Sequence, residues 1–260
     1  MANDPNKDWE KYGKDDPYFG VVSLERFHKD NLTQEALDEF FESGRQHIEY
    51  VLSMIRAHIE LAFKPRSALD FGCGVGRCTI PMAGLCERVT GVDVSISMLE
   101  EARRNSAARK TTNIEWVNSG DLTEVAGKFD FVHSFIVFQH IPPARGLVLL
   151  ARLVDLMAPN GIACLQFLYH KDTPPLKQFL GKIRVNVPLA HNFANLLYGK
   201  PFNTPLMQKN AYDLNSILNL LQKKGCGGCH IRLEGTGEFQ GAVVFFQKRP
   251  DSVPYDQFYK

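Results

Sequence analysis

The sequence predicts an α/β fold in which a mostly parallel, seven-stranded sheet lies between two layers of helices, a three-layer sandwich. Three observations predict it. Short apolar runs alternate with helical segments between residues 65 and 170, a spacing typical of parallel strands joined by right-handed crossovers. A glycine-rich turn follows the first apolar run. Two further apolar runs after residue 211 supply the strands that complete the sheet.

The composition is that of an ordinary globular protein. The chain has 260 residues, of which 44% are hydrophobic and 23% charged, enough for a full core. A formal net charge of +1 gives no electrostatic argument for nucleic acid or for a membrane surface. No apolar run approaches the roughly 18–20 residues that cross a bilayer, and the polar N-terminus lacks a secretory signal. We therefore expect a cytoplasmic location, no stable membrane insertion and reduced cysteines.

The first segment, 1–64, is predicted to be an N-terminal arm and a helix that pack on the core. Aromatic side chains are spaced among charges in residues 1–30, which favours a partly helical arm. From 33 to 63 apolar residues recur at intervals of three and four, the stripe of a core-facing helix. Pro65 ends this pattern.

The second segment, 65–169, is predicted to be a cofactor-binding core. Its apolar runs predict strands and its 3.6-residue periodicities predict helices. Ser97 and Glu100 have the spacing of a capping box at the start of one helix. The predicted strands are 67–71, 88–93, 113–117, 129–135 and 161–168, and the predicted helices are 77–85, 97–109 and 144–157.

The remaining chain divides into an insertion and a C-terminal completion of the sheet. Residues 170–210 are rich in proline and glycine, with helical patches at 176–183 and 192–197, and are predicted to form a cap or lid. Residues 171–210 carry six lysines and arginines against one acid, which could favour an anionic acceptor or a membrane surface, or merely face water. In 211–260 we expect a helix at 212–224 and strands at 230–234 and 242–248.

The loop after the first strand is the most informative segment. Gly72, Gly74 and Gly76 alternate with other residues, so the backbone can turn tightly and a ligand can approach it. Such a loop could serve a dinucleotide, S-adenosylmethionine or only a tight turn. A dinucleotide fingerprint would need its last glycine where Arg77 stands. Asp70, two residues before the loop, suits a ligand with an ammonium and a sulfonium better than a pyrophosphate.

Four segments in this order, 69–76, 89–95, 118–122 and 129–134, resemble the motifs of the class I S-adenosylmethionine-dependent methyltransferases, particularly the small-molecule branch. The resemblance covers about residues 65–170, with a looser match from 211 to 249. It implies a Rossmann-like fold and S-adenosylmethionine as cofactor. It also implies methyl transfer by in-line displacement to an oxygen or nitrogen, less readily a carbon, of a small-molecule acceptor such as a sugar or natural-product intermediate.

The resemblance also implies roles for individual residues. The glycine loop would line the methionine part of the cofactor, Asp93 would hold the ribose, and the end of the fourth strand would face the sulfonium. Arg45 on the long helix is a candidate for the methionine carboxylate. The full predicted cofactor-binding set is Asp70, Gly72, Cys73, Gly74, Asp93, Val94, Met98, Gly120, Asp121, Leu122, Ser134 and Phe135.

His140, just beyond the fourth strand, is the candidate catalytic base. The alternative is that it hydrogen-bonds the backbone and shapes its loop. No Asn/Asp-Pro-Pro-Tyr/Phe cluster follows the strand, which together with the neutral charge argues against a nucleic-acid partner. The Cys-x-x-Cys-His pattern at 226–230 matches c-type haem attachment, but haem is not expected there because the N-terminus shows no export signal. Zinc is not expected there either, because no second ligand pair stands at a typical spacing.

Two other functions remain open on the sequence alone. One is a nicotinamide-dependent oxidoreductase, which Arg77 and the lack of a Tyr-x-x-x-Lys pair disfavour. The other is a methyltransferase-like protein that binds a ligand or partner without turnover. The intact glycines and Asp93 disfavour it.

Overall fold

The computed structural model describes residues 5–174, 180–181, 183–184, 187, 189–199, 201–235 and 237–249. Strands and helices alternate through the middle of the chain, as the sequence predicts. The strands are β1 (Ser67–Phe71), β2 (Arg88–Asp93), β3 (Ile114–Asn118), β4 (Phe129–Ser134), β5 (Met157–Lys171), β6 (Cys226–Glu234) and β7 (Phe239–Lys248). The α-helices are α1 (Pro5–Asp15), α2 (Pro17–Val21), α3 (Gln34–His58), α4 (Thr79–Ala83), α5 (Ile96–Ala108), α6 (Pro143–Leu156), α7 (Ala190–Leu197) and α8 (Leu214–Lys223).

The seven strands form one sheet in the order β3-β2-β1-β4-β5-β7-β6, which confirms the predicted fold class. The first five strands of this order are parallel to one another, and β7 runs antiparallel to both β5 and β6. The strand order reverses between β1 and β4. In open α/β sheets the crevice at the carboxyl ends of such a pair is where ligands bind.

The sheet has two buried faces, because side chains alternate along each strand. On β1, Leu69 belongs to the core cluster built with α6 and α8, whereas Ala68 belongs to the cluster built with α3 and α4. On β4, Val132 and Phe131 divide in the same way. We call the side covered by α3 and α4 the α3 face.

Most predicted boundaries are confirmed within a few residues, and two local predictions are wrong. The helix predicted over 77–85 is only the five residues of α4. Helix α5 begins at Ile96, and its N-cap is Ser95, whose hydroxyl accepts the Met98 N–H at 3.1 Å. The predicted capping box at Ser97 does not form, because the helix begins one residue before Ser97, with Ser95 as its N-cap. The Ser97 hydroxyl donates to Glu10 at 2.7 Å.

The N-terminal arm is helical and packs closely on α5. A Cβ at Gly13 would lie 2.5 Å from the Ser95 hydroxyl, and one at Gly20 would lie 2.9 Å from the Met98 methyl carbon. This contact brings α1 and α2 to the carboxyl edge of the sheet. Of the predicted cap, 190–197 is helical as α7, and the patch at 176–183 lies largely outside the described residues. The division into arm, core, cap and completion stays a prediction.

No helix among the residues described is both long and apolar enough to cross a membrane.

Candidate active site

A cavity of about 450 Å³ lies at the carboxyl ends of β1, β2 and β4. Its floor is formed by strand ends and the loops after them. Its roof is formed by the N-terminal arm and by residues that precede α8. The floor residues include Phe71, Gly72, Gly74, Asp93, Val94, Met98, Gly120, Phe135, Ile136, Val137, Gln139, His140, Ile141, Pro142, Arg145 and Leu149; the roof residues are Asn6, Trp9, Gly20, Val21, Val22, Ser23, Leu24, Met207 and Lys209.

The glycine loop leaves bare backbone on the cavity floor. Gly72 has a φ of 75°, in the left-handed region that side chains other than glycine adopt at a cost. A Cβ there would lie 2.3 Å from a methyl carbon of Val137, and a Cβ at Gly74 would lie 2.6 Å from a methyl carbon of Val21. Both approaches are too close for a side chain, so these two positions require glycine.

Asp93 fixes the loop to the end of β2. One carboxylate oxygen accepts the Gly74 N–H at 2.9 Å, and the other accepts the Ser95 N–H at 2.9 Å. Desolvation raises the pKa of Asp93 to about 6, although these backbone donors oppose the rise. At neutral pH the group is therefore largely a carboxylate. Because Asp93 lines the cavity, its remaining lone pairs can accept hydrogen bonds from the hydroxyl groups of a ligand bound there.

Of the twelve residues predicted to bind a cofactor, the cavity brings seven together: Gly72, Gly74, Asp93, Val94, Met98, Gly120 and Phe135. These come from the ends of β1, β2, β3 and β4 or directly after them. These seven residues lie together because parallel strands all end at the same edge of the sheet. Their role in binding stays a prediction.

The other five do not line the cavity, and their polar groups have partners elsewhere. The Leu122 N–H donates to the Ser119 hydroxyl at 2.9 Å, so it is not free for an adenine. Asp121 accepts the Thr123 N–H at 3.1 Å. Ser134 donates its hydroxyl to the Phe71 carbonyl at 2.9 Å. Cys73 and Asp70 are buried, with 4% and 3% of their surfaces exposed.

Asp70 lies on the α3 face rather than beside the cavity. Its two oxygens accept the Thr79 hydroxyl at 2.6 Å and lie 2.8 Å from His133 Nδ1. The expected position beside a cofactor ammonium does not agree with these contacts. Arg45, the candidate for the methionine carboxylate, does not line the cavity either. It is exposed and pairs with Glu42 and Glu49 on its own helix.

His140 is buried at the cavity wall. Its Nδ1 lies 2.6 Å from the Gln208 carbonyl oxygen, which can only accept, so Nδ1 carries the proton. The Nε2 lone pair is then left to accept, and Gln139 Nε2 lies 3.1 Å from it. Burial lowers the pKa of His140 to about 4, so the ring is neutral at physiological pH. The ring of Trp9 covers it edge-on, 4.8 Å between centroids.

Sequence reasoning missed most of the roof. Tyr12 and Tyr18 of the arm are buried core residues that do not line the cavity; the Tyr18 hydroxyl lies 2.6 Å from Glu101 Oε1. Trp9 and the turn after α2 line the cavity in their place. Nothing in their local sequence marks them, because their position depends on the packing of the arm on α5.

Cationic side chains border the cavity at two points. Arg145 lines it and donates to the Gly120 carbonyl at 2.8 Å. Lys209 lines it from the roof, and its Nζ lies 4.0 Å from the centre of the Phe239 ring. Lys171 supports this segment by donating its Nζ to the Lys209 carbonyl at 2.5 Å. Most of the remaining roof is apolar.

Comparison with known proteins gives a family match in the core. Residues 68–161 match the family model of a methyltransferase domain. A 23S rRNA (uracil(1939)-C(5))-methyltransferase of Legionella pneumophila is 26% identical over 175 residues, which are 65% of this chain and 36% of that protein. A ubiquinone biosynthesis O-methyltransferase of Burkholderia ambifaria is 35% identical over 112 residues, 42% of this chain and 47% of that protein. The matched part of the chain thus spans between a third and a half of the length of these curated relatives.

Solved structures share the fold over nearly the whole chain. Magnesium protoporphyrin IX methyltransferase from Synechocystis, solved with bound SAH, superposes with a TM-score of 0.61 at 19% identity, covering 94% of this chain and 100% of that one. An N-methyltransferase from Bradyrhizobium japonicum, in complex with S-adenosylhomocysteine, gives a TM-score of 0.58 at 14% identity, covering 95% and 99%. At these identities the likeness concerns the fold.

Proposed function

We propose that the chain is a class I methyltransferase that binds S-adenosylmethionine in the cavity and transfers its methyl group to a small molecule. The observation that carries the proposal is the floor: bare backbone at Gly72 and Gly74, with the Asp93 carboxylate beside it. A Cβ at Gly72 would collide with Val137, and one at Gly74 would collide with Val21. The family match over 68–161 and the ligands bound in the two similar structures support the choice of cofactor.

The residues on the floor divide the work of holding the cofactor. Asp93 would accept hydrogen bonds from the ribose hydroxyls, as acids at the end of the second strand do in such folds. Val94 and Met98 would pack against the adenine, near Gly120. The glycine loop would lie along the methionine part, and Phe135 would stand near the sulfur. When bound, the cofactor supplies an activated methyl group: its carbon–sulfur bond breaks as the acceptor's oxygen or nitrogen bonds to that carbon.

The acceptor would occupy the roofed part of the cavity. Trp9, Val22 and Leu24 offer it an apolar surface, and Lys209 with Arg145 offers positive charge at the border. We therefore propose an anionic acceptor with a substantial apolar body. The enzyme's main contribution would be to hold the acceptor atom about 3 Å from the methyl carbon, on the side opposite the sulfur.

His140 would accept the proton that the acceptor loses. Its fixed Nδ1–H leaves Nε2 as the basic atom, with Gln139 as the group to be displaced. The low pKa keeps it unprotonated but makes it a weak base. His140→Ala should lower kcat by about 10²-fold or more and leave cofactor affinity within about twofold. Equal losses of kcat and of cofactor affinity would instead assign it to shaping the pocket.

Isothermal titration calorimetry tests the cofactor directly. We expect S-adenosylmethionine and S-adenosylhomocysteine to bind with one site per chain, and NAD not to bind. Binding of NAD alone would support the oxidoreductase alternative and overturn the proposal. Tight binding of both adenosyl compounds, with no transfer of a labelled methyl group to any of a broad panel of acceptors, would leave a binding protein without turnover.

A further inference from the structure

Four side chains that the cavity does not use meet on the α3 face. His47 comes from α3, Cys78 directly precedes α4, His133 lies on β4, and Asp70 on β1 is the register partner of His133. The two imidazole Nε2 atoms are 3.0 Å apart, and the Cys78 sulfur lies within 4.8 Å of both. None of the four lines the cavity.

We propose that His47, Cys78 and His133 bind a zinc ion through Nε2, Sγ and Nε2. Imidazole nitrogen and thiolate sulfur are the ligands that zinc prefers, and three of them with one open position form a known type of zinc site. Two nitrogens at zinc-bond length from a tetrahedral ion are roughly 3.3 Å apart. The imidazoles would therefore have to separate by only a few tenths of an ångström. In the free protein His47 Nε2 donates to His133 Nε2, so on metal binding the His47 proton would move from Nε2 to Nδ1.

Asp70 orients one of the proposed zinc ligands, His133, through a hydrogen bond. A metal-bound histidine usually donates its other N–H to a carboxylate, which fixes the tautomer and orients the ring. His133 has this arrangement, since its Nδ1 lies 2.8 Å from an Asp70 oxygen and its Nε2 faces His47. Thr79, next to Cys78, holds the second Asp70 oxygen at 2.6 Å. The carboxylate is thus oriented from both sides.

Charge also balances in the metal-bound state. Asp70 is only 3% exposed, and a buried carboxylate needs a compensating charge or strong donors. Zinc with one thiolate ligand and the nearby Asp70 gives a net charge of zero. Zinc binds the thiolate form of cysteine, so the Cys78 thiol would release its proton on binding. Arg77, which donates to the Ser43 hydroxyl at 2.9 Å, is a neighbouring cation whose charge acts on His47 and Cys78, and it opposes the binding of a second cation.

The bound ion would join three separate elements behind the glycine loop. Cys78 follows the last glycine of the loop by two residues, His47 belongs to α3, and His133 belongs to β4. Phe135 contacts both regions: it lines the cavity, and the centre of its ring lies 4.2 Å from the centre of the His47 ring. His47 is half-buried and offers the route of entry.

The experiment titrates the metal-free protein with Zn²⁺ and Co²⁺ and does not depend on methyl transfer. Cys226→Ser and Cys229→Ser are introduced first, because this more accessible pair could bind zinc by itself. We expect one equivalent of metal, about one proton released per ion, and a sulfur-to-cobalt charge-transfer band. His47→Gln and Cys78→Ser should each lose the site, and Asp70→Asn should weaken it about 10–100-fold.

Two matched controls accompany these variants. His58→Gln changes another histidine of α3, and Cys86→Ser changes another buried cysteine; neither belongs to the cluster. Both should bind metal like the parent. The proposal is overturned if the parent binds no Zn²⁺, or if His47→Gln binds it unchanged. Should Cys78→Ser fail to fold by circular dichroism, His47→Gln at its half-buried position decides the result.

Discussion

The two halves of the cavity are built in different ways. The floor comes from strand ends that one sheet brings together, and its polar groups are fixed by short local bonds such as Asp93 to Gly74 and Ser95. The roof comes from segments far apart in sequence, the N-terminal arm and residues 207–209. It is held by contacts between segments that are distant in sequence, such as the hydrogen bond from the Tyr12 hydroxyl to the Pro205 carbonyl at 3.3 Å.

This difference indicates which half of the cavity tolerates amino-acid substitution. The floor must present backbone and one carboxylate to a fixed cofactor, so its positions tolerate little change. The roof presents mostly apolar side chains on segments that could move without disturbing the sheet. We therefore expect floor substitutions to affect cofactor binding and roof substitutions to affect the acceptor.

The largest effect should come from Gly72→Ala. The new methyl carbon would lie 2.3 Å from Val137 in a backbone with φ of 75°. Denaturant unfolding should show a loss of about 1–3 kcal/mol from the backbone strain alone, and calorimetry should show no cofactor binding. Gly225→Ala is the control, since its φ is 73° and nothing lies within 4 Å. If both variants bind cofactor equally, the floor is not the cofactor site.

Asp93→Asn should have the next largest effect. The amide leaves one oxygen where the carboxylate accepts both Gly74 and Ser95 N–H groups, and the ribose hydroxyls lose a charged acceptor. Since a hydrogen bond to a charged group is worth about 1.5–3 kcal/mol, we expect cofactor affinity to fall about tenfold to a hundredfold.

The pH dependence gives an independent check on Asp93. Hydroxyl donors favour the carboxylate form, so affinity should be full above the pKa of about 6 and fall as the pH drops through it. In Asp93→Asn, titrations between pH 5 and 7 should show no such fall. A fall that persists in the variant would assign the titration to another group.

The floor was predictable because its signals are local in sequence. Gly72 and Gly74 follow an apolar strand, and Asp93 ends the next one, so parallel pairing alone brings them to one edge. Side-chain alternation along β1 also places Asp70 on the α3 face, away from the cavity. The charge of Asp70 and the resemblance both favour a position beside a cofactor ammonium, but the alternation of side chains decides on which side of the sheet it lies.

The roof was not predictable because its position depends on packing between distant segments. Trp9 and Val22 reach the cavity only because Gly13 and Gly20 let the arm pack tightly on α5. No pattern in the first 30 residues identifies that partner. The contact of the Ser97 hydroxyl with Glu10 of the arm is hidden from the sequence for the same reason.

A roof substitution, Lys209→Met, should have a smaller effect than either floor variant. It keeps a long apolar stem but removes the positive charge at the border of the cavity. The KM for an anionic acceptor should rise about fivefold to tenfold, a cost of about 1–1.4 kcal/mol, with cofactor affinity unchanged. Lys64→Met, an exposed position outside the cavity, is the control. Weaker cofactor binding in Lys209→Met would contradict the division between floor and roof.

The smallest effect should come from Glu10→Gln, which loosens the attachment of the arm. The Glu10 carboxylate accepts both the Ser95 hydroxyl at 2.9 Å and the Ser97 N–H at 3.2 Å. Burial raises the pKa of Glu10, but hydrogen bonds from Ser97 and Ser95 outweigh it and hold the pKa below the usual value. Neutralising the group also removes a negative charge from the N-terminus of α5, worth about 0.3–1 kcal/mol.

We therefore expect Glu10→Gln to lower the unfolding free energy by about 1 kcal/mol and to raise the acceptor KM about twofold, because the roof is ordered less of the time. The matched control is Asp15→Asn on the same helix, whose ion pair with Lys11 is exposed and should contribute less than about 0.5 kcal/mol. Proteolysis at the arm would show the difference directly: cleavage should be faster in Glu10→Gln and unchanged in Asp15→Asn. Equal cleavage of the two variants would mean that apolar packing at Gly13 and Gly20, rather than this carboxylate, holds the roof in place.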